Sequence, residues 1–477
     1  MGQLVPISVV EALPGDTMQH HANVLARVSP LAAPVMHPVT ARVHHFFVPT
    51  RIVWDGTNPD DSGSKWEDFI TGGPDGANAD TVPTITTTTD ANNLLDYMGI
   101  PRVAGIEVNE LPVRAFNLIF NEFYRDQDLV AARDPDDVSI PQIAWEKDYF
   151  TSARPWTQKG PDVTVPLGDS APVKGIGPDN QSTTASYAIY ETGETGASAS
   201  RPGWQGGTQN AIMEDPDNSG FPNIYADLAS AVGGNVNDIR RAFAIQRYQE
   251  ARARYGSRYT EYLRYLGVTP KDGRLQRPEF LGGGRTQINF SEIMQTAPET
   301  GVAPSNEFGV GDMYGHGIAA MRSNKYRRFI EEHGFIISCF SVRPKTIYSD
   351  AINKQWLRVN KEDYFQRELQ HIGQQEVLNN EVYADAANGS DVFAYQDRYM
   401  EYREHPSHVS AEFRNILNYW HMAREFGSPP ILNDSFIECV PTKRIHNEQT
   451  AHALWVMVQN KMIARRLVSS SAAPRIF

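Results

Sequence analysis

Gly334-Phe335-Ile336-Ile337-Ser338-Cys339-Phe340-Ser341-Val342 is a compact apolar run, opened by a glycine and too short for most helices. It reads as a buried β-strand. Ala41 to Pro49 mixes β-branched, aromatic and polar residues in the same manner, and Val5–Val10 and Val163–Leu167 follow suit, each with Pro or Gly close by. Short strands scattered over a long chain favour a sandwich or barrel. Two helical patterns interrupt them. Pro112–Arg125 carries Phe116, Ile119, Phe120, Phe123 and Tyr124 at spacings of three and four, and Asp238–Tyr255 opens on an N-cap residue with Ile239, Phe243 and Ile245 expected toward a core. No repeat of fixed period is present. The coarse picture is a mainly β scaffold with helical excursions.

At 477 residues the chain exceeds the usual limit of one hydrophobic core, so several domains, or one core with large insertions, are expected. Its net charge of -13 is concentrated. Asp55–Asp96 holds nine acidic residues against Lys65 alone, and Asp169–Pro222 holds seven against Lys174 and Arg201; together they account for the whole excess. Both segments are rich in Gly, Ser, Thr and Asn without a sustained apolar period, so 56–93 and 169–222 read as long surface insertions. The rest of the chain is balanced, and Asp238–Arg285 carries eleven basic residues against five acidic. An acidic protein of this kind still has material for a basic face.

Cys339 and Cys439 lie a hundred positions apart, which excludes a disulfide framework or a cysteine-based zinc motif and points to two buried free thiols. Met1–Val10 lacks a secretory pattern, and no apolar stretch reaches the ~18 residues of a membrane span, so a soluble protein with no membrane anchor, made in a cytoplasm, is expected.

Motifs for catalysis are absent. The triple glycine of Arg274-Leu275-Gln276-Arg277-Pro278-Glu279-Phe280-Leu281-Gly282-Gly283-Gly284-Arg285 lacks the spacing of a phosphate loop, since Arg285, Thr286 and Gln287 follow Gly284. There is no Gly-x-Ser-x-Gly, His-Glu-x-x-His or kinase signature. The doublets His20-His21 and His44-His45 point to opposite faces of an extended strand and do not offer one ion two ligands. His405 and His408 are separated by Pro406, which disfavours the helix their spacing requires. Neither a metal nor a cofactor is expected.

Nucleic-acid contact has more support. Arg240, Arg241, Arg247, Arg252, Arg254 and Arg258 interleave with Tyr248, Tyr255 and Tyr259, combining phosphate-pairing charge with rings for stacking, although a solvated face or subunit contact explains the run equally. From Lys461 onward, Lys461, Arg465, Arg466 and Arg475 follow an apolar stretch around Trp455–Val458 with no acidic residue, as a basic terminal arm or an ordinary frayed tail. Tyr395, Tyr399 and Tyr402 read as core or interface packing.

Several motifs, taken in order, resemble one family. They are Leu4-Val5-Pro6, Leu13-Pro14-Gly15-Asp16-Thr17, His45-Phe46-Phe47-Val48-Pro49, Leu111-Pro112-Val113-Arg114-Ala115-Phe116-Asn117, Tyr149-Phe150-Thr151-Ser152-Ala153-Arg154-Pro155-Trp156, the glycine-rich run above and Leu432-Asn433-Asp434-Ser435-Phe436-Ile437. The chain resembles the major capsid protein of tailless single-stranded DNA phages, the gokushovirus-like Microviridae. The resemblance implies an eight-stranded antiparallel jelly-roll barrel over 1–477 with long helix-bearing loops. It further implies self-assembly through fivefold, threefold and twofold contacts into a small icosahedral virion shell with one subunit per asymmetric unit, built in the host cytoplasm. Expected partners are other copies of the chain and packaged single-stranded DNA, with a small basic DNA-binding virion protein as a candidate. Segment 169–222 corresponds by position to an outward insertion that meets a host receptor. Arg240, Arg241, Lys461, Arg465 and Arg466 are the residues expected to face DNA. Only Met1, Gly2 and Gln3 precede Leu4, where the family carries a longer, partly basic segment, so no DNA contact is assigned to the N-terminus. Gly56–Ser64 enlarges a surface loop relative to the family. Two other classes compete: a carbohydrate-active or hydrolytic β-sandwich enzyme, and a nucleic-acid-binding protein that does not assemble.

Overall fold

The computed structural model describes residues 1–58, 61–73, 80–161, 236–255, 276–296 and 312–468, with residues 264–265 and 267 and two-residue strands between 173 and 226. Two compact units divide the chain, Met1–Thr157 with Arg252–Phe477, and Gln158–Ala251. The second insertion, 169–222, and the expected strand Val163–Leu167 lie almost wholly outside the described residues.

The larger unit is built on strands β1 (Leu4–Ala12), β2 (Thr17–Val28), β3 (Val39–Pro49), β4 (Glu279–Gln287), β5 (Asn289–Met294), β6 (Met313–Arg322), β7 (Tyr326–Phe329), β8 (Gly334–Pro344) and β9 (Leu454–Arg465). They form two antiparallel sheets. Sheet A has the order β1-β8-β3-β4. In sheet B, β5-β6 and β7 occupy one edge of β2, over Asn23–Arg27 and Thr17–His20, while β9 pairs with β2 along its whole length from Val28 to Thr17.

Burial explains the run at Gly334–Val342. On β8 the even positions Ile336, Phe340 and Val342 meet sheet B, and the odd positions Phe335, Ile337 and Cys339 meet a second apolar layer. A strand covered on both faces has no polar alternation to display. That second layer is led by helix α1 (Leu111–Phe123), whose Leu111, Phe116, Ile119 and Phe120 are buried with Phe46, Val48 and Trp54. Each such side chain contributes ~1.5–3 kcal/mol of transfer free energy. The helix begins with proline in its first turn, where a missing N–H costs no hydrogen bond. Part of the acidic segment 56–93 is tied into this layer. Trp66 and Phe69 stand against Trp54, and buried Asp61 accepts from the Arg114 Nη1 at 2.9 Å.

The triple glycine serves packing. A Cβ on Gly283 would lie 2.2 Å from the Val43 carbonyl oxygen, and one on Gly284 3.0 Å from Ser323 Cα. Between Phe280 and Gly282 the ladder shifts register, and Gly282 takes φ +137°, a bulge that bends β4 over β3.

Helix α2 (Val236–Tyr255), spanning the end of the smaller unit and the return to the larger one, corrects one expectation. It starts two residues before Asp238, and Phe243 and Ile245 are exposed, Phe243 by 64%. Ile245 lies six residues from Ile239, about 240° around the helix, so no single apolar stripe forms. No helix among the described residues is long and apolar enough to cross a membrane.

Candidate nucleic-acid interface

The centre of sheet A is covered on both sides along β8, whereas sheet B buries one face and exposes the other. Along β2, Met18, His20, Ala22, Val24, Ala26 and Val28 point into the sandwich, so Thr17, Gln19, His21, Asn23, Leu25 and Arg27 belong to the outer face. Residues paired across an antiparallel ladder share a face. The rows are therefore Trp455-Arg27-Ile318, Met457-Leu25-Ala320, Gln459-Asn23-Arg322, Lys461-His21, Ile463-Gln19-Arg327 and Arg465-Thr17-Phe329. The Asn23 Nδ2 donates to Gln459 Oε1 at 3.1 Å, as this register requires.

This face is cationic. Arg27, Arg322, Arg327, Lys461 and Arg465 are exposed, no outward position of β2, β6, β7 or β9 carries a carboxylate, and among the described residues none of the five cations forms an ion pair. The charges converge on His21, whose pKa is lowered by burial and then by Arg322, Lys461 and Lys325. In a chain of net charge -13, this sheet face therefore carries a local excess of positive charge.

The expected DNA-facing residues divide. Lys461 and Arg465 sit on the face, within an ordered strand and not in a frayed arm. Arg466 turns away: its Nε lies 3.1 Å from the fully buried Asp16 carboxylate, and its Nη2 donates to the Glu11 carbonyl at 2.5 Å. Arg240 and Arg241 are exposed on α2, in the smaller unit. Arg258, Tyr259 and Arg475 lie outside the described residues. Sequence reasoning passed over Arg27, Arg322 and Arg327. A signal existed in Arg322-Ser323-Asn324-Lys325-Tyr326-Arg327-Arg328, with four cations in seven residues.

Behind the face, the histidine doublets split as alternation requires. His20 and His45 face each other inside the sandwich, His45 Nδ1 2.7 Å from Ser338 Oγ and Nε2 2.9 Å from Ser323 Oγ, while His44 meets the Tyr124 hydroxyl at 2.6 Å on the α1 side. Burial lowers His45 to about 3 and His44 to about 4, so both are neutral. The thiols of Cys339 and Cys439 are free, buried and pushed upward by burial, which leaves them unreactive. In a cleft lined by Glu381, Glu401, Glu404 and His405, Glu381 is held by Lys354 and Glu401 by Arg358, each at 3.0 Å. Glu381 and Glu401 thus serve as ion-pair partners, whereas burial, and then Asp148, raises the pKa of Glu404.

The sequence matches the phage capsid protein (F protein) family over residues 1–471. The chain belongs to that family. It is similar to capsid protein VP1 of Bdellovibrio phage phiMH2K, 35% identical over 91% of this chain and 84% of the relative. VP1 of Chlamydia phage 1 is 31% identical over 92% and 86%, and VP1 of Spiroplasma virus 4 is 29% identical over 92% and 85%. All three are Microviridae. The chain is a major capsid protein of a bacteriophage, with a structural role and a place in the virion.

Proposed function

We propose that copies of this capsid subunit tile into a small closed icosahedral shell around single-stranded DNA, with the outer face of sheet B turned toward the genome. The observation that carries this reading is the five exposed, unpaired cations on an acid-free face of a protein whose net charge is -13. Neutralising phosphates there releases condensed counterions, so affinity has an entropic, salt-sensitive source. Lys461 and Arg465 contribute from β9, Arg27 from β2, and Arg322 and Arg327 from β6 and β7. Arg240 and Arg241 remain a second candidate contact from α2.

The fold is read as a viral jelly roll with eight principal strands, β6 and β7, which share one edge of β2, counting as one. Pairing of β1 with β8, and of β8 with β3, supports this, because it joins the first strand to a distant one and leaves the intervening chain to form excursions. Those excursions supply the fivefold, threefold and twofold contacts, and closed symmetry reuses them. Segment 169–222, acidic and glycine-rich, is assigned to the outer surface as the receptor-facing insertion. A small basic virion protein would share the work of charge neutralisation, and assembly takes place in the host cytoplasm.

The test is a titration of the full-length subunit with a labelled single-stranded oligonucleotide over a range of salt. Replacing Lys461 or Arg465 with glutamine is expected to reduce the slope of log affinity against log salt by ~0.7 each. Unchanged slopes would remove the genome-facing assignment. Deleting 169–222 is expected to leave shells that still close, seen by negative-stain imaging.

A further inference from the structure

The cationic face also carries aromatic rings that phosphate neutralisation leaves unused. Trp455 is 54% exposed and Phe329 55% exposed, each on an outward position of sheet B. Trp455 is the ladder partner of Arg27, and Phe329 and Arg465 flank Thr17 from opposite sides. Adjacent strands lie ~4.8 Å apart, so each ring has a cation within one or two strand spacings. Between the two ends lie the amides of Gln19, Asn23 and Gln459. From Trp455 to Arg465 the strand extends about 33 Å at ~3.3 Å per residue. A large exposed ring with an unpaired guanidinium one or two strands away, repeated at both ends of one open sheet, is a stacking platform with phosphate anchors.

Resting on the genome-facing reading above, we infer that this face selects unpaired nucleic acid, with Trp455 and Phe329 stacking on bases while Arg27 and Arg465 hold the adjoining phosphates. A duplex hides its base faces and offers only phosphate and groove edges, so it uses the cations and leaves the rings in water. The occupant is a nucleic-acid strand and not the same face of a second subunit, because that pairing sets cation against cation. The amides then meet base edges without demanding one sequence, as a coat around an entire genome requires.

The experiment compares the unassembled full-length chain with a single-stranded thymidine 20-mer and a duplex of equal length at one salt concentration. Single strand is expected to bind at least tenfold tighter and to quench tryptophan fluorescence. The quench should vanish in Trp455→Phe while affinity stays near that of the parent. Trp455→Ala and Phe329→Ala should each weaken binding roughly 5- to 100-fold with the salt slope unchanged. Lys461→Gln should do the reverse, lowering the slope and preserving the quench. Equal affinity for duplex and single strand without a quench overturns the stacking inference while leaving the charge assignment intact. Loss of subunit association in Trp455→Ala, with DNA binding unaltered, overturns it in favour of a contact between copies.

Discussion

His20 and His45 enter the sandwich core from opposite sheets and meet edge to face, their ring centroids 4.8 Å apart. Tyr326 lies against both rings, and Asn460 and two serines take up the ring nitrogens. Burial, then the neighbouring histidines, holds His45 at about 3; burial also lowers His20. Two imidazoles in such contact are stable only uncharged.

The subunit should therefore be acid-labile. A depressed histidine contributes stability that is whole above its ordinary value of 6.5 and is lost as the pH falls toward its folded value, because the unfolded chain takes up protons first. His37, His44 and His446, each lowered to about 4 chiefly by burial, act in the same direction. Urea midpoints should be nearly level from pH 7.5 to about 6.5 and then fall down to pH 4.5, and His45→Gln should flatten the profile. A level profile for the parent chain would show that these rings are hydrated.

Gly283→Ala should prevent correct folding, since its Cβ would stand 2.2 Å from a carbonyl oxygen of the neighbouring strand, where no side chain can yield. Gly282→Ala meets nothing within 4 Å and carries only the strain of φ +137°, about 1–3 kcal/mol. Soluble yield and melting temperature separate the two: near-total loss for the first, a moderate decrease for the second.

Arg114 bridges Asp61 and Glu110 at 2.9 and 2.6 Å with almost no solvent contact. Against the lowering effect of burial, the two carboxylates hold its pKa up. Arg114→Leu strands two buried anions and should cost about 3–5 kcal/mol in denaturant unfolding. Arg114→Lys keeps the charge but loses the fork, so an intermediate loss is expected. A neutral result for leucine would mean that water enters the site.

Neighbouring arginines should behave differently. Arg465→Gln is expected to lower the salt slope of DNA binding and leave stability unchanged, because its side chain is exposed and has no described ion-pair partner. Arg466→Gln should leave the slope and lower stability by about 1–3 kcal/mol, since it exposes the unmet demand of buried Asp16. Identical phenotypes would contradict the division between them.

What the sequence disclosed depended on how local the cause was. Gly334–Val342 announces its strand because burial on both faces leaves a continuous apolar run, and α1 announces itself through spacings of three and four. Alternation alone separated His20 from His21 and His44 from His45. The cationic face was half legible. Lys461 and Arg465 stood out as charges after an apolar stretch, but their strand is defined by pairing with β2, more than 400 positions away, which no window along the chain reveals. For the same reason Arg27, Arg322 and Arg327 were ordinary surface cations until the register set them in rows beside Lys461. Arg466 was grouped with Arg465 by proximity, although its place beyond the last strand residue sends it to Asp16. On α2, Phe243 and Ile245 resembled a core stripe only until their angular separation was considered.

Because β9 completes the entire free edge of β2, that strand waits for a partner more than 400 residues further along the chain. Contacts at this separation form slowly and late. A nascent chain broken off before residue 454 would present a bare twelve-residue edge, open to adventitious pairing and to proteases, and would lack Lys461 and Arg465 as well. Pairing of β9 is thus the step that closes this edge of the sandwich, and it joins segments separated by more than 400 residues.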